Sequence, residues 1–520
     1  MKWSRACPAA MAGGVLGVPA FAPFHVWPCA IASLAVLFAL WQRAGSKRAA
    51  AAVGFCWGLG LFTAGVSWIY VSLHVYGNMP APLAALATLL FCAYLAVFPA
   101  LAGVLLAFAR SMRAPAPTLG LLLWMPALVV AAEMLRAGFL SGFPWLTMGY
   151  AQTPGGVLPA PLAGFAPLVG VFGLSWLTAL LAALAVLLIR PLSGLRLSAR
   201  GVQAAAAVAI GVCVSGLALT RVHWSAPAGA PISVALLQGN IEQSLKWRED
   251  QRAPTLANYA GLAGHSQARL VVMPETALPT FLDAVPREYL ETLRSQAAAR
   301  GADVIVGAPI AERAPGDALA ARSPHRYFNS AISLGASAPQ RYDKSHLVAF
   351  GEFIPPLFSW VYRWLEIPLA GFTEGSARPV PMNVAGTRVA VNICYEDAFG
   401  AEIARQLPEA ELLVNLSNMA WYGRSLAAEQ HAQMSQMRAM ETSRWMLRAT
   451  NTGLTAAIDS AGHRVAVLPQ FERGALTVQA EPRTGTTPYV RWRDAPVLGL
   501  LALVLVAGAW VARKPGAKVQ

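Results

Sequence analysis

Two hydrophobic regimes divide the chain. Up to about residue 220, apolar residues come in long runs near 8–23, 28–42, 50–73, 82–109, 118–135, 162–189 and 202–220, and one more lies near 495–512. A helix needs roughly 20 apolar residues to cross a bilayer untilted. The runs therefore predict about eight spans, some of them short. Between residues 225 and 485 the runs shrink to strand length: ISVALLQ, ARLVVMPE, DVIVGAPI, FNSAISL, TRVAVNIC, ELLVNLS, LTAAIDS, HRVAVLP and ALTVQA. β-Branched residues crowd these runs, as in strands. Helical spacing appears around 249–265, 285–300 and 424–443. The block thus predicts an α/β domain with strands buried between helices. The segments SAPAGAP and EPRTGTTP have the Pro, Gly and small residues of linkers. Three parts follow: a bundle of seven spans over 1–222, a soluble domain over 223–490, and a final span with its tail over 491–520.

Composition agrees with a membrane protein. Hydrophobic residues make up 56% and charged residues 13% of the 520, with a mean hydropathy of +0.48. The net charge of +14 is largely explained by topology. Lys2 and Arg5, then Arg43, Lys47 and Arg48, Arg110 and Arg113, Arg190, Arg196 and Arg200, and finally Arg513, Lys514 and Lys518 fall on alternate sides of the expected spans. The intervening short loops carry only Arg136. Basic residues flanking spans stay cytoplasmic, which puts both termini inside and the soluble domain outside. No interleaved basic and aromatic stripe points to nucleic acid. The first apolar run lacks a convincing small-residue cleavage site, so no cleaved signal is expected.

Five cysteines, Cys7, Cys29, Cys56, Cys92 and Cys213, lie in or beside apolar runs and read as packing residues. Cys394 alone lies in the soluble block, so no disulfide within that domain is expected. It ends the run VAVNIC just before YED, where a strand would feed a nucleophile at a strand-to-helix turn. Glu275 ends the run LVVMPE, where strand-end residues of open sheets face a ligand crevice. Lys344 lies in YDKSHLVAFGEFIPP, a segment apolar enough that its charge needs a partner, and Glu352 of the same segment is a candidate for one. A carboxylate, a lysine and a thiol at three strand or loop ends supply the parts of acyl transfer through a thioester: base, oxyanion stabiliser and nucleophile. Glu396 stands two residues past the thiol, where it either orients a reacting group or merely favours a helix start. The scattered histidines offer no metal-ligand spacing, and no metal or cofactor is expected.

MPETALP, YDKSHLVAFGEFIP and NICYED resemble the Glu-Lys-Cys signature of the nitrilase superfamily, which implies an α-β-β-α sandwich. QGNIEQSLKW, FGEFIPPLFSWVYRW, NLSNMAWYG and AGFLSGFPWLTMGYAQ extend the resemblance over the chain, to the apolipoprotein N-acyltransferase family. The resemblance implies an enzyme of the bacterial inner membrane, its catalytic domain periplasmic. It would take the sn-1 acyl chain of a phospholipid, typically phosphatidylethanolamine, and pass it to the α-amino group of the S-diacylglyceryl-cysteine of an apolipoprotein. By motif position Glu275 is then the base, Lys344 the oxyanion stabiliser and Cys394 the acylated nucleophile. Glu352 and Glu396 are supporting acids, and Trp247 and Tyr395 line the substrate site.

Independent of any resemblance, a thioester must be shielded from water until an amine arrives. Phe353, Phe358, Trp360, Tyr362, Trp364 and Phe372 suit an amphipathic lid at the bilayer surface, or simple interfacial packing. Glu133 and Arg136, three apart near a helix end, are placed to pair on one face. Two other readings remain open at this point. An anchored amidase would send the thioester to water, although one anchor would then suffice. A transporter with a ligand-binding external domain would need more ionisable residues in its spans.

Overall fold

The computed structural model describes residues 3–111, 117–189, 198–313, 325–355 and 371–513. Two compact units emerge. One comprises the chain up to Tyr70, Met79–His223 and the chain from Arg491; the other comprises Val71–Asn78 and Trp224–Val490.

Among the described residues, the first unit has helices and no strands. Four helices in the described residues are long and apolar enough to cross a membrane: Ala81–Ser111, Pro117–Gly138, Ala163–Leu188 and Ala199–Leu219. A fifth results if Lys47–Gly65 and Ile69–Tyr76, bent by 58°, count as one span. The remaining runs give shorter apolar helices, Pro28–Gln42 and Ala495–Ala507, and the thirteen-residue Trp3–Val15. The number of helices of crossing length is thus four or five among the described residues, against the eight spans expected. A 15-residue helix such as Pro28–Gln42 is only about 22 Å long, short of a hydrocarbon core of about 30 Å. The run over 50–73 does not continue straight: the chain turns after Gly65, whose carbonyl accepts the Trp68 indole N–H at 3.1 Å.

Close helix contact in this unit depends on small residues. A Cβ at Gly54 would lie 2.2 Å from the Pro99 carbonyl oxygen, and one at Gly58 2.7 Å from the Pro99 ring. The two glycines, one turn apart, let Lys47–Gly65 approach the backbone of Ala81–Ser111, as small-xxx-small stripes do where no hydrophobic effect drives helices together. Glu133 and Arg136 are both buried. Glu133 Oε1 accepts the Met148 N–H at 2.8 Å, while Arg136 donates to the carbonyls of Phe143 and, at 2.6 Å, Trp145. Both charges therefore hold the irregular segment 143–147 and the start of the short helix Met148–Gln152, whose backbone groups need partners away from water.

The second unit is built on two six-stranded mixed sheets. The first contains β2 (Ile232–Gln238), β3 (Leu270–Val272), β4 (Asp303–Arg313), β5 (His325–Gly335), β6 (Arg341–Asp343) and β13 (Gly474–Ala480), in the order β13-β2-β3-β4-β5-β6. The second contains β7 (Met382–Val384), β8 (Thr387–Ile393), β9 (Leu412–Ser417), β10 (Met446–Thr450), β11 (Thr455–Ile458) and β12 (Arg464–Leu468), in the order β12-β11-β10-β9-β8-β7. Each has parallel pairs at its centre, β2-β3-β4 and β8-β9-β10, and antiparallel pairs outside. A short pair, β1 (Ala226–Pro227) with β14 (Arg483–Thr484), joins the two ends of the domain.

Residue parity along the strands decides what each face meets. Val234, Leu236 and Val272 of one sheet pack with Val389, Val391, Ile393 and Val414 of the other in a shared core. The alternate residues Ala235, Leu237 and Val271 face outward, onto helices Glu249–His265 and Arg287–Ala298. On the far side Ala390, Leu413 and Met446 pack with Ala439 of helix Ala427–Thr442. Both faces of the central strands are thus covered, which is why they read as continuous apolar runs although the side chains alternate, whereas β12 and β13 at the sheet edges keep one face exposed. Each buried Val, Leu or Ile contributes roughly 1.5–3 kcal/mol. The result is the four-layer α-β-β-α sandwich expected.

Candidate active site

Each of the three candidate reactive groups stands where a strand ends. Beyond β3 the chain runs through Met273 and Pro274 to Glu275, then turns at Thr276 with a left-handed φ of +46°. Gly307 of β4 makes the turn possible, since a Cβ there would lie 2.4 Å from the Pro274 carbonyl oxygen and 2.8 Å from the Glu275 Cα. Lys344 follows β6 directly. Its N–H donates to the Asn329 carbonyl and its own carbonyl accepts from Gly375, both at 2.8 Å. Cys394 follows β8 at a φ of +53°, a strained value for a side chain with a Cβ, and opens a short helical turn, Cys394–Ala398. A nucleophile at such an elbow is lifted out of the strand line.

The tertiary fold gathers them into one polar cluster in which Glu275 and Lys344 are buried and Cys394 is half-buried. The Lys344 ammonium, 1% exposed, donates to Glu352 at 2.9 Å and lies 3.7 Å from Glu275. Asn329 donates to both carboxylates, at 2.8 Å to Glu275 Oε1 and 2.8 Å to Glu352 Oε1. The Val348 N–H fixes the other oxygen of Glu352 at 2.9 Å. The Asn418 N–H donates to Glu275 Oε2 at 2.9 Å and also acts on the Cys394 thiol.

Charge in this cluster is balanced by neighbours. Burial pulls the Lys344 ammonium downward, but the Glu352 and Glu275 carboxylates, aided by Cys394, outweigh it and hold the pKa above the ordinary lysine value. Burial pushes the Cys394 thiol up to about 12; Glu275 pushes the same way and Lys344 opposes both. The lysine therefore does not make a resting thiolate. A thiol so held needs a base before it can act as a nucleophile.

Glu396 has another part. Its carboxylate accepts from the Tyr342 hydroxyl at 2.7 Å, the Ser345 N–H at 2.7 Å, the Ser345 hydroxyl at 2.8 Å, the His346 N–H at 3.1 Å and the Ile393 N–H at 2.6 Å. It ties the loop carrying Lys344 to the elbow carrying Cys394, with its oxygens committed. Tyr395 packs its ring 5.8 Å from that of His346 and 5.2 Å from that of Phe399. Trp247 is 36% exposed, whereas its neighbour Lys246 is buried. Phe353 and Phe372 are described, and the Glu352 carbonyl accepts from Gly371 and Phe372 at 2.9 and 3.0 Å. Phe358, Trp360, Tyr362 and Trp364 of the expected lid lie outside the described residues.

Several site residues escaped the sequence reading. The Cys394 carbonyl lies 3.0 Å from His431 Nε2 and accepts from Asn415 Nδ2 at 3.2 Å. Arg448 donates to His431 Nδ1 at 2.7 Å, which leaves that nitrogen an acceptor and assigns the proton to Nε2. Burial and the Arg448 charge both hold His431 neutral, well below the usual histidine range. Arg448 also bonds Asp397 at 3.1 Å and Asn415 at 3.2 Å. Lys246, 2% exposed, donates to the Glu275 carbonyl at 3.2 Å. Lys246, Asn415 and Asp397 stood inside segments already singled out, but single polar residues carry no spacing signal that marks them as part of a site.

A sandwich of two sheets with a glutamate, a lysine and a cysteine gathered at strand ends defines an enzyme of the carbon-nitrogen hydrolase class, and the Carbon-nitrogen hydrolase family model matches residues 233–489. A second model, the apolipoprotein N-acyltransferase N-terminal domain, matches residues 13–184. The chain belongs to the apolipoprotein N-acyltransferase family. It is 45% identical to the apolipoprotein N-acyltransferase of Nitrosomonas europaea over 97% of either chain. The like-named protein of Methylococcus capsulatus is 45% identical over 95% of this chain and 94% of its own. That of Ralstonia nicotianae is 42% identical over 98% of this chain and 94% of its own.

Proposed function

We propose that this chain completes lipoprotein maturation by moving the sn-1 acyl chain of a phospholipid, through a thioester on Cys394, to the α-amino group of the S-diacylglyceryl-cysteine of an apolipoprotein. Family membership supports the acyl transfer. The single observation that carries the chemistry is the buried cluster in which Lys344 lies 2.9 Å from Glu352 and 3.7 Å from Glu275 beside the Cys394 thiol.

In the first half-reaction Glu275 takes the thiol proton while sulfur attacks the sn-1 ester carbonyl. Negative charge grows on the carbonyl oxygen, and the Lys344 ammonium, kept charged by Glu352, stabilises it. When the tetrahedral intermediate collapses, the carbon–oxygen bond breaks and the Glu275 proton goes to the departing glycerol oxygen, releasing a lysophospholipid. In the second half-reaction the neutral α-amine attacks the thioester and gives a proton to Glu275. The carbon–sulfur bond breaks, and the sulfur recovers that proton. Glu352, Glu396, Trp247 and Tyr395 support the site: Glu352 through Lys344, Glu396 by bracing the elbow, and the two aromatic rings by lining the substrate space.

The donor is phosphatidylethanolamine, supplied by the bilayer that the apolar helices occupy. Lys and Arg distribution supports an inner-membrane protein with cytoplasmic termini and a periplasmic catalytic domain over 223–490. The test is intact-protein mass spectrometry after incubation with phosphatidylethanolamine and then a diacylated lipopeptide with a free α-amine. The expected result is a hydroxylamine-labile increase of one acyl chain on Cys394, discharged onto the peptide, with Cys394→Ala abolishing both steps. Hydrolysis of small amides without an adduct would favour an amidase instead.

A further inference from the structure

Lys246 is a charged group of the site to which the reaction above gives no part. It lies in the turn that follows β2, fully enclosed, and its Nζ makes one hydrogen bond among the described residues, to the Glu275 carbonyl at 3.2 Å. The same turn reaches Glu275 a second way. Gln243 Oε1 accepts from Asn418 Nδ2 at 2.9 Å, and the Asn418 N–H holds Glu275 Oε2 at 2.9 Å. Both ends of Glu275, carbonyl and carboxylate, are thus secured from the segment Gln243–Lys246. The need is local, because Glu275 precedes the left-handed Thr276 and has only the gap left by Gly307 to occupy.

An enclosed ammonium with one carbonyl partner is costly unless its charge is used. Burial pulls Lys246 down to about 8, and the nearby Glu275 carboxylate is what chiefly resists the loss of its proton. The groups around Glu275 can be counted element by element: Lys246 after β2, Lys344 after β6, Glu352 in the following loop, the Cys394 thiol at the elbow, and Tyr422 in the turn Met419–Tyr422. Two ammonium groups balance two carboxylates, and the thiol and phenol are neutral. Without Lys246, one lysine faces two enclosed carboxylates, and proton uptake by a carboxylate is the least costly relief.

We propose that Lys246 is a positioning residue for Glu275: it pins the backbone of that residue and supplies the second positive charge that keeps its carboxylate free to accept the Cys394 proton. The inference rests on the acyl-transfer reading above. Lys246→Met removes charge and bond, Lys246→Gln keeps a polar group of similar reach, and Lys246→Arg keeps the charge.

The experiment follows the rate of acyl-enzyme formation on Cys394 from phosphatidylethanolamine between pH 5.5 and 9, using full-length protein in detergent, with folding checked by thermal unfolding. In Lys246→Met the acidic limb of the profile is expected to move up by about one pH unit, with a rate about tenfold lower on that limb, recovery at high pH and an unchanged KM for lipid. Lys246→Gln is expected to show the same displacement, and keeps the test open should the methionine variant not fold. Lys246→Arg is expected to return the limb toward that of the wild type. A limb that stays in place in both charge-removing variants, whether the rate is unchanged or lowered equally at every pH, would overturn the inference. Absence of any acyl-enzyme in the wild type would instead overturn the reading of the reaction.

Discussion

Cys394 carries the proposed chemistry as a thiol, and the reasons lie in its immediate surroundings. A partly buried sulfur loses hydration that a thiolate needs, and Glu275 adds repulsion that Lys344 does not cancel. Because that thiol is held near 12, alkylation of Cys394 by iodoacetamide is expected to rise steadily from pH 7 to pH 10. At neutral pH it is expected to be far slower than at a free cysteine, whose pKa is about 8.5. Peptide mass spectrometry of the Cys394 peptide measures this, and a rate already level below pH 8 would contradict it. Glu275→Gln and Lys344→Met are expected to lower acyl-enzyme formation severely, with folding retained. Removing Glu275 takes away the proton acceptor, and removing Lys344 takes away the cation facing the developing oxyanion. Near-normal rates in both variants, followed by intact mass, would sink the assigned roles.

Strands and turns decide whether these residues meet. The Glu275 turn fits only because Gly307 of the neighbouring strand has no side chain. Gly307→Ala would put a methyl group 2.4 Å from the Pro274 carbonyl oxygen. The turn must move, and since a displacement near 1 Å can cost roughly a hundredfold in rate, a loss of that order is expected in single-turnover acylation. Wild-type rates would show that the turn can yield. Behind the elbow, Arg448 of β10 is fully enclosed and bonds Asp397, His431 and Asn415. Arg448→Met would strand the Asp397 charge, which burial already pushes up to about 6 against the pull of Arg448. Destabilisation of about 3–5 kcal/mol is expected, read as a lowered midpoint of unfolding of the purified protein. An unchanged midpoint would mean that the pair is dispensable. The same arginine explains why β10 was not anticipated: MLRAT has a charge at its centre, and a strand buried on both faces ordinarily excludes one. β6 and β7, three residues each, were too short to stand out.

For the chain as a whole, sidedness depends on how many of the apolar runs cross the bilayer. Four or five described helices have crossing length, yet the proposed orientation rests on basic residues flanking eight runs. The two are reconciled if the short helices cross where the bilayer is locally thinned. Cysteine labelling decides the sidedness. Ala338→Cys, on the exposed surface of the catalytic domain, is expected to react with an impermeant maleimide in spheroplasts, whereas Gly45→Cys, in the exposed loop before Lys47, is expected to react only after membrane rupture. The reverse pattern would invert the topology.

The division between membrane runs and strand-length runs needed no coordinates. Periodicity and run length depend on neighbours along the chain, and they were enough to place nine strands and the helices Glu249–His265, Arg287–Ala298 and Ala427–Thr442 near their observed positions. Strand-end position likewise marked Glu275 and Cys394, and an apolar segment that left a charge in need of a partner marked Lys344. What required the tertiary structure was the set of partners around them: Asn329 between two carboxylates, Asn418 on Glu275, His431 on the Cys394 carbonyl, Lys246 beneath the base, and Glu396 as a brace. These contacts join residues up to 143 positions apart, as Asn418 with Glu275 shows. Burial turned Trp247 outward and Lys246 inward, the opposite of what their polarity suggests. A polar side chain carries no mark along the chain of which buried charge it will meet, because that meeting is set by how the two sheets close on each other.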